Sequence, residues 1–130
     1  MKFNSQICTT KEQSERLLAL GLKAATADMC LHTSRGVSYT FSYNEALYFF
    51  KCKGFRKARV MKLLFPAWSL HRLIEMCNKT QFGMTIGIYN DEVTVDGDLF
   101  EVFDNTYDNL ISIIEWLIGL DKFKKEYLEE

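Results

Sequence analysis

Apolar residues recur along this chain with two different periods, and the changes of period divide it into elements. In "TTKEQSERLLALGL" (residues 9–22) Gln13, Leu17, Leu18 and Leu20 form the inner side of a helix, Gln13 through its methylenes. Thr9 with Glu12 fits a capping box, and Thr10 with Gln13 fits one residue later. Gly21 suits the residue just past the helix end, where Leu22 supplies the apolar contact that goes with such a stop. Alternation takes over in "MCLHTSRGVSYTFSY" (29–43). There Met29, Leu31, Val37, Tyr39, Phe41 and Tyr43 predict a hairpin that turns at "SRG".

Residues 44–67 carry a weaker pattern. Asn44 is placed to cap a short helix over "EALYFFKCK" that Gly54 ends, "ARVMKLLF" suits a strand, and Pro66 is expected to break what precedes it. Ser69 then caps a helix running to about Asn78, with Leu70, Leu73, Ile74 and Cys77 as its stripe. "MTIGIYNDEVTVDG" reads as a second hairpin turning at "YND", and "LFEVF" as a third strand of the same meander. A long helix starts at Asn105 or Thr106. It turns Tyr107, Leu110, Ile111, Ile114, Leu117 and Ile118 to one side. The tail "DKFKKEYLEE" either docks through Phe123, Tyr127 and Leu128 or frays.

This order predicts an α+β fold: a small antiparallel sheet of hairpins and meander with about three helices packed on one face. Ile86, Val93, Val95, Phe100 and Val102 are expected on the covered face, under Leu17, Leu73, Ile114 and Leu117. Glu92, Asp96, Asp98 and Glu101 belong at turns or on the wet face, because burying an unpaired carboxylate is too costly. No repeat, linker or low-complexity run interrupts the 130 residues, so 1–130 is expected to be a single domain.

Several phrases occur together: "TKEQSERLLALGL" followed by "TADM", then "PAWSLHRLIEM", "YDNLISIIEWLI" and "KEYLEE". In these the chain resembles small uncharacterised proteins of gut Bacteroidales and their phages or mobile elements. The resemblance covers both ends and the middle, leaving out about Ser34 to Leu64. It implies an accessory, phage-related gene product of a bacterial cytoplasm, and it carries over no site residue.

Composition narrows the class. Hydrophobic residues make up 48% and aromatics 14%, with one proline, which excludes a disordered chain. Cys8, Cys30, Cys52 and Cys77 contain no CxxC pair, and "MKFNSQICTTKEQ" lacks the apolar run of a signal peptide. Four reduced thiols in the cytoplasm are therefore expected. No apolar run approaches the ~20 residues of a membrane span, so no membrane partner is expected.

Charge changes the picture more. The net charge is −1, but it is segregated. Lys51 to Lys79 holds eight bases and one acid, Glu75; Thr80 to Asp121 holds nine acids and no base. Within the first stretch Lys51, Lys53, Arg56, Lys57, Arg59 and Lys62 are candidates for contact with a nucleic-acid backbone or a partner, and Phe55 could stack on single strands. The other reading is a solvated segment, or one paired internally with the acidic strands. Asp91, Glu92, Asp96 and Asp98 cluster at the turns of the meander, as local turn residues or as an acidic docking face.

Catalytic signals are few. Cys30 and His32 share one face of a strand, as two metal ligands, a thiol beside its base, or a half-buried cysteine next to a surface histidine. There is no GxSxG elbow and no glycine-rich phosphate loop, and "DGDLFE" lacks the full ligand set of a calcium loop. Trp68 stands where a hydrophobic staple would pack into the core, while Trp116 is divided between core and interface. No catalytic residue, metal site or cofactor is expected. The function that follows is a non-enzymatic protein-interaction module whose partner could be a second copy of itself. The alternative is a nucleic-acid-binding accessory protein using residues 51–62.

Overall fold

The computed structural model describes residues 6–33, 37–54, 62–78, 86–89, 92–95, 98–99 and 105–129, with the backbone alone at 78, 86–89, 92–95 and 98–99. Its elements in order are α1 (Lys11–Ala19), β1 (Met29–His32), β2 (Val37–Tyr39), α2 (Tyr43–Cys52), β3 (Leu64–Ala67), α3 (Leu70–Asn78), β4 (Ile86–Tyr89), β5 (Glu92–Val95), β6 (Asp98–Leu99) and α4 (Thr106–Gly119). The class is α+β. The described strands form two antiparallel sheets of three strands, in the orders β2-β1-β3 and β4-β5-β6.

Local chemistry fixes where the helices begin and stop. At α1 the second capping box operates: Gln13 N–H donates to Thr10 Oγ1 (3.2 Å) and Thr10 N–H to Gln13 Oε1 (3.0 Å). Thr9 is buried instead. Its backbone N–H donates to the Trp68 carbonyl (2.9 Å), and its hydroxyl accepts the Trp68 backbone N–H (3.0 Å). The α1 stop is as expected. Gly21 has φ +102°, its N–H donates to the Leu18 carbonyl (3.0 Å), and Leu22 N–H donates to the Leu17 carbonyl (3.2 Å). The end of α4 repeats these bonds with Asp121 at φ 57° in place of glycine. The tail docks: Phe123 and Tyr127 are buried, and Leu128 bridges to Leu22.

Residues 42–67 depart from expectation in three ways. Ser42, not Asn44, caps α2, in a capping box with Glu45. Tyr43 therefore opens a helix rather than closing the hairpin. As expected, Gly54 ends this helix, following it at φ +87°. Pro66 lies inside β3, opposite Cys30, rather than ahead of an element. β3 is an edge strand, where a residue without an N–H is tolerated.

The main core gathers around α4. Leu17, Trp68, Leu73, Met76, Cys77, Leu110, Ile111, Ile113, Ile114 and Leu117 are all fully buried. Ser69 caps α3 by accepting the Arg72 N–H (3.2 Å), so Trp68 stands just outside the helix and packs inward. Its indole N–H donates to Thr26 Oγ1 (3.0 Å), which satisfies the one polar atom of a large buried ring. A second, smaller cluster of Cys30, Ala46 and Leu64 lies where α2 rests on β1 and β3. β4 and β5 rest on α3 and α4. Among the described residues no helix is long and apolar enough to cross a membrane.

Candidate interaction surface

Two faces of the β2-β1-β3 sheet follow from its register. Pairing of Cys30 with Tyr39 and Pro66, and of His32 with Val37 and Leu64, puts these six residues on the face that α2 covers. Met29, Leu31, Ser38 and Ala67 lie on the other face with Cys8, whose thiol donates to Ser38 Oγ at 3.4 Å.

The α2 side carries a chain of rings that runs from the interior to the surface. His32 is buried, 6.5 Å from Tyr39 and 6.1 Å from Phe50 between ring centroids. Tyr39 stacks on Phe41 at 5.1 Å, Phe41 meets Phe49 at 6.0 Å, and Phe49 meets Phe50 edge-on at 5.3 Å. The chain ends in the open: Phe49 is 47% exposed, and Tyr48 beside it is 73% exposed. Val37, at the edge of the same face, is exposed as well.

The reason is geometric. Successive helical residues are about 100° apart, so Tyr48, Phe49 and Phe50 sweep about 200° of the helix and cannot all face inward. Phe50 joins Ala46 and Leu47 on the sheet side. Tyr48 and Phe49 are left on the outer side with Glu45 and Cys52, all four exposed. Three adjacent aromatics within one short helix are the sequence signal of this surface, a signal that charge alone does not carry.

Of the six basic candidates, Lys51 and Lys53 stand exposed at the C-terminal end of α2, where cations also favour the helix dipole. Lys53 Nζ lies 5.1 Å from the centre of the Phe49 ring. Lys62 is exposed ahead of β3. Lys51, Lys53 and Lys62 make no ion pair among the described residues, whereas Lys11, Arg16, Arg72, Lys124 and Lys125 each have an acidic partner within 4.0 Å. Phe55, Arg56, Lys57 and Arg59 lie outside the described residues. On the acidic side, Glu92 opens β5 opposite Tyr89, and Asp98 opens β6 opposite Val95. Asp91 and Asp96 lie outside the described residues, as does Glu101.

Cys30 and His32 do share a face, but both are buried, so His32 is not the surface residue of one sequence reading. Burial pushes the Cys30 thiol up to about 11, although a hydrogen bond with the Phe65 backbone lowers it in part. Burial alone pushes Cys77 up to about 12, and burial also raises Cys8. The thiolate is the nucleophilic form of cysteine, and burial disfavours it at Cys30, Cys77 and Cys8. Cys52 is the exposed thiol. Among the described residues no three His, Cys, Asp or Glu side chains come together as a metal would need. Trp68 is core, in the place of a staple, and Trp116 is 37% exposed on α4.

No family model, curated protein or solved structure matches this chain.

Proposed function

We propose that this protein is a small accessory protein of phage type that works as a non-enzymatic protein-interaction module, and that it binds through the outer face of α2. The observation that carries this reading is the pairing of two exposed aromatics with lysines that have no ion pair among the described residues: Tyr48 at 73% and Phe49 at 47% exposure, beside Lys51 and Lys53. Aromatic anchors ringed by polar residues dominate binding energy at protein interfaces. Leaving such rings in water costs burial that folding could have used.

The test is a comparison of two baits in nuclease-treated host lysate, wild type and Tyr48→Ser/Phe49→Ser. Proteins retained by the first and absent from the second support the module. Identical retained sets exclude α2 as the binding face.

A second reading has its own observation. Lys53 over Phe49, with Tyr48 alongside, also suits a base stacked on a ring with phosphates near the lysines. It predicts binding of short single strands at ~50 mM salt, weakening steeply as salt rises. Lys51→Ala and Lys53→Ala would each flatten that slope by roughly one unit for every phosphate no longer neutralised. No binding at low salt ends this reading.

A further inference from the structure

We infer that the α2 face pairs with the same face of a second copy, the two α2 helices running in opposite directions about a two-fold axis at Phe49. This rests on the reading of α2 as a protein-binding surface and names the occupant.

The inference is carried by Glu45, Phe49 and Lys53. They are four residues apart, so they lie in one row along α2 and its C-cap. All three are exposed. At the basic end of the row, Lys53 Nζ lies 5.1 Å from the centre of the Phe49 ring. At the acidic end, Glu45 accepts the Ser42 N–H at 3.4 Å, and a carboxylate with two oxygens can still meet a cation. Neither Glu45 nor Lys53 makes an ion pair among the described residues.

This row is complementary to itself. Four helical residues rise about 6 Å, so acid and base stand at equal distances on either side of the ring. A two-fold axis at Phe49 sets ring on ring and brings Glu45 opposite the partner's Lys53, twice over by symmetry. A two-fold interface needs such a patch, because the same surface meets itself. Rows of residues four apart run alongside each other when two helices cross at about 50°. Tyr48, 73% exposed, flanks the ring in each copy. Aromatic burial supplies the affinity, and the paired charges set direction and register. A phosphate backbone fits the row less well, since it would meet Lys53 but be repelled by Glu45. One face of a ten-residue helix is small for an interface, so monomer and dimer should exchange rather than form a permanent pair.

The experiment is sedimentation of the full chain, up to millimolar concentration, at ~50 mM and ~500 mM salt, where screening lengths differ severalfold. The wild type is expected to approach the mass of a dimer as concentration rises, more readily at low salt. Phe49→Ser should stay monomeric with an unchanged circular dichroism spectrum. Glu45→Lys and Lys53→Glu each set like charges together at both pairs, and each should weaken association on the order of tenfold. Mixed one to one, these two variants should associate as the wild type does, because every pair then joins a lysine to a glutamate. Recovery in the mixture also shows that both variants fold. A wild type that stays monomeric at every concentration at low salt overturns the inference. So does a dimer that Phe49→Ser leaves intact, or a loss on charge reversal that mixing does not restore. If the monomeric wild type still retains host proteins through Tyr48 and Phe49, only the second copy is ruled out and the interaction module stands. If it instead shifts a labelled oligonucleotide, the basic end of the face belongs to nucleic acid and both readings fall.

Discussion

Helices α2 and α4 are similar in their starting chemistry and opposite in their outcome. Both are rich in apolar residues, and both are capped by a side chain that accepts N–H groups of the first turn. α4 buries eight of its fourteen residues, and its neighbours α1 and α3 close over it. α2 buries only Ala46, and leaves Tyr48 and Phe49 in solvent. What differs is the number of sides that are covered. α4 has partners around it, so even Asn109 and Ser112 are buried. α2 rests on one sheet and on the short turn of helix at Ala24–Thr26, and its outer side stays exposed. Apolar residues on the covered helix act on stability, and those on the uncovered one are available for binding.

The largest expected effect comes from the covered side. Trp68→Ala should cost about 3–5 kcal/mol in chemical denaturation, because it opens a cavity among Leu17, Leu73 and Ile114. It also strips Thr26 of its indole donor. Tyr48→Ser should move stability by no more than about 0.5 kcal/mol, as for other exposed sites. Comparable destabilisation by the two substitutions would break the distinction between the helices.

The caps sharpen it. Asn105 accepts N–H groups from Tyr107 and Asp108, and its amide donates to Gln6 Oε1 (3.0 Å). Gln6 and Asp108 are both joined to Gln13 of α1. Asn105→Ala should therefore fall near the upper end of the range for caps, about 2 kcal/mol, and Ser42→Ala nearer 1 kcal/mol. Denaturant midpoints of the two variants check the order.

The thiols report the same contrast without mutation. In the folded protein Cys52 should react with an aromatic disulfide reagent within minutes, and Cys8, Cys30 and Cys77 only on unfolding. The pH dependence follows in sign. Cys30 and Cys77 have folded values of about 11 and about 12 against an ordinary 9.0, so above pH 9 the unfolded chain releases protons that the folded chain keeps. Their contribution to stability is complete below pH 9.0 and disappears as pH rises through the folded values. Denaturation midpoints should fall as pH rises from 9.0 to about 11.

Much of the covered side was legible in the sequence because its signals are local. Gly21 with Leu22 named the end of α1, Ser69 the start of α3, and the spacing of Leu110, Ile111, Ile114 and Leu117 the inner side of α4. Two capping boxes competed at Thr9 and Thr10. Tertiary structure decided between them, because Thr9 is taken up by the Trp68 backbone. Pro66 misled for the same reason: whether proline ends a strand depends on whether its missing N–H faces a neighbour, which sequence does not reveal. The division of the strands into two sheets rests on the pairing of Met29 with Ala67 and His32 with Leu64, a contact across more than thirty residues with no local mark. The candidate surface was half legible. Charge pointed to Lys51 and Lys53, but the exposed rings beside them emerge only once Phe50 is seen to take the inward position.

If the outer face of α2 serves binding and contributes little to folding, association and stability must separate there. Capture of host proteins by Tyr48→Ser/Phe49→Ser beside the wild type, with thermal denaturation of both, tests this most directly, because exposed aromatics carry binding energy and little stability. The wild type should retain proteins that the double variant does not, while both keep the same Tm. A variant that retains the same proteins as the wild type, or one that fails to fold, would contradict the division of labour between α2 and α4.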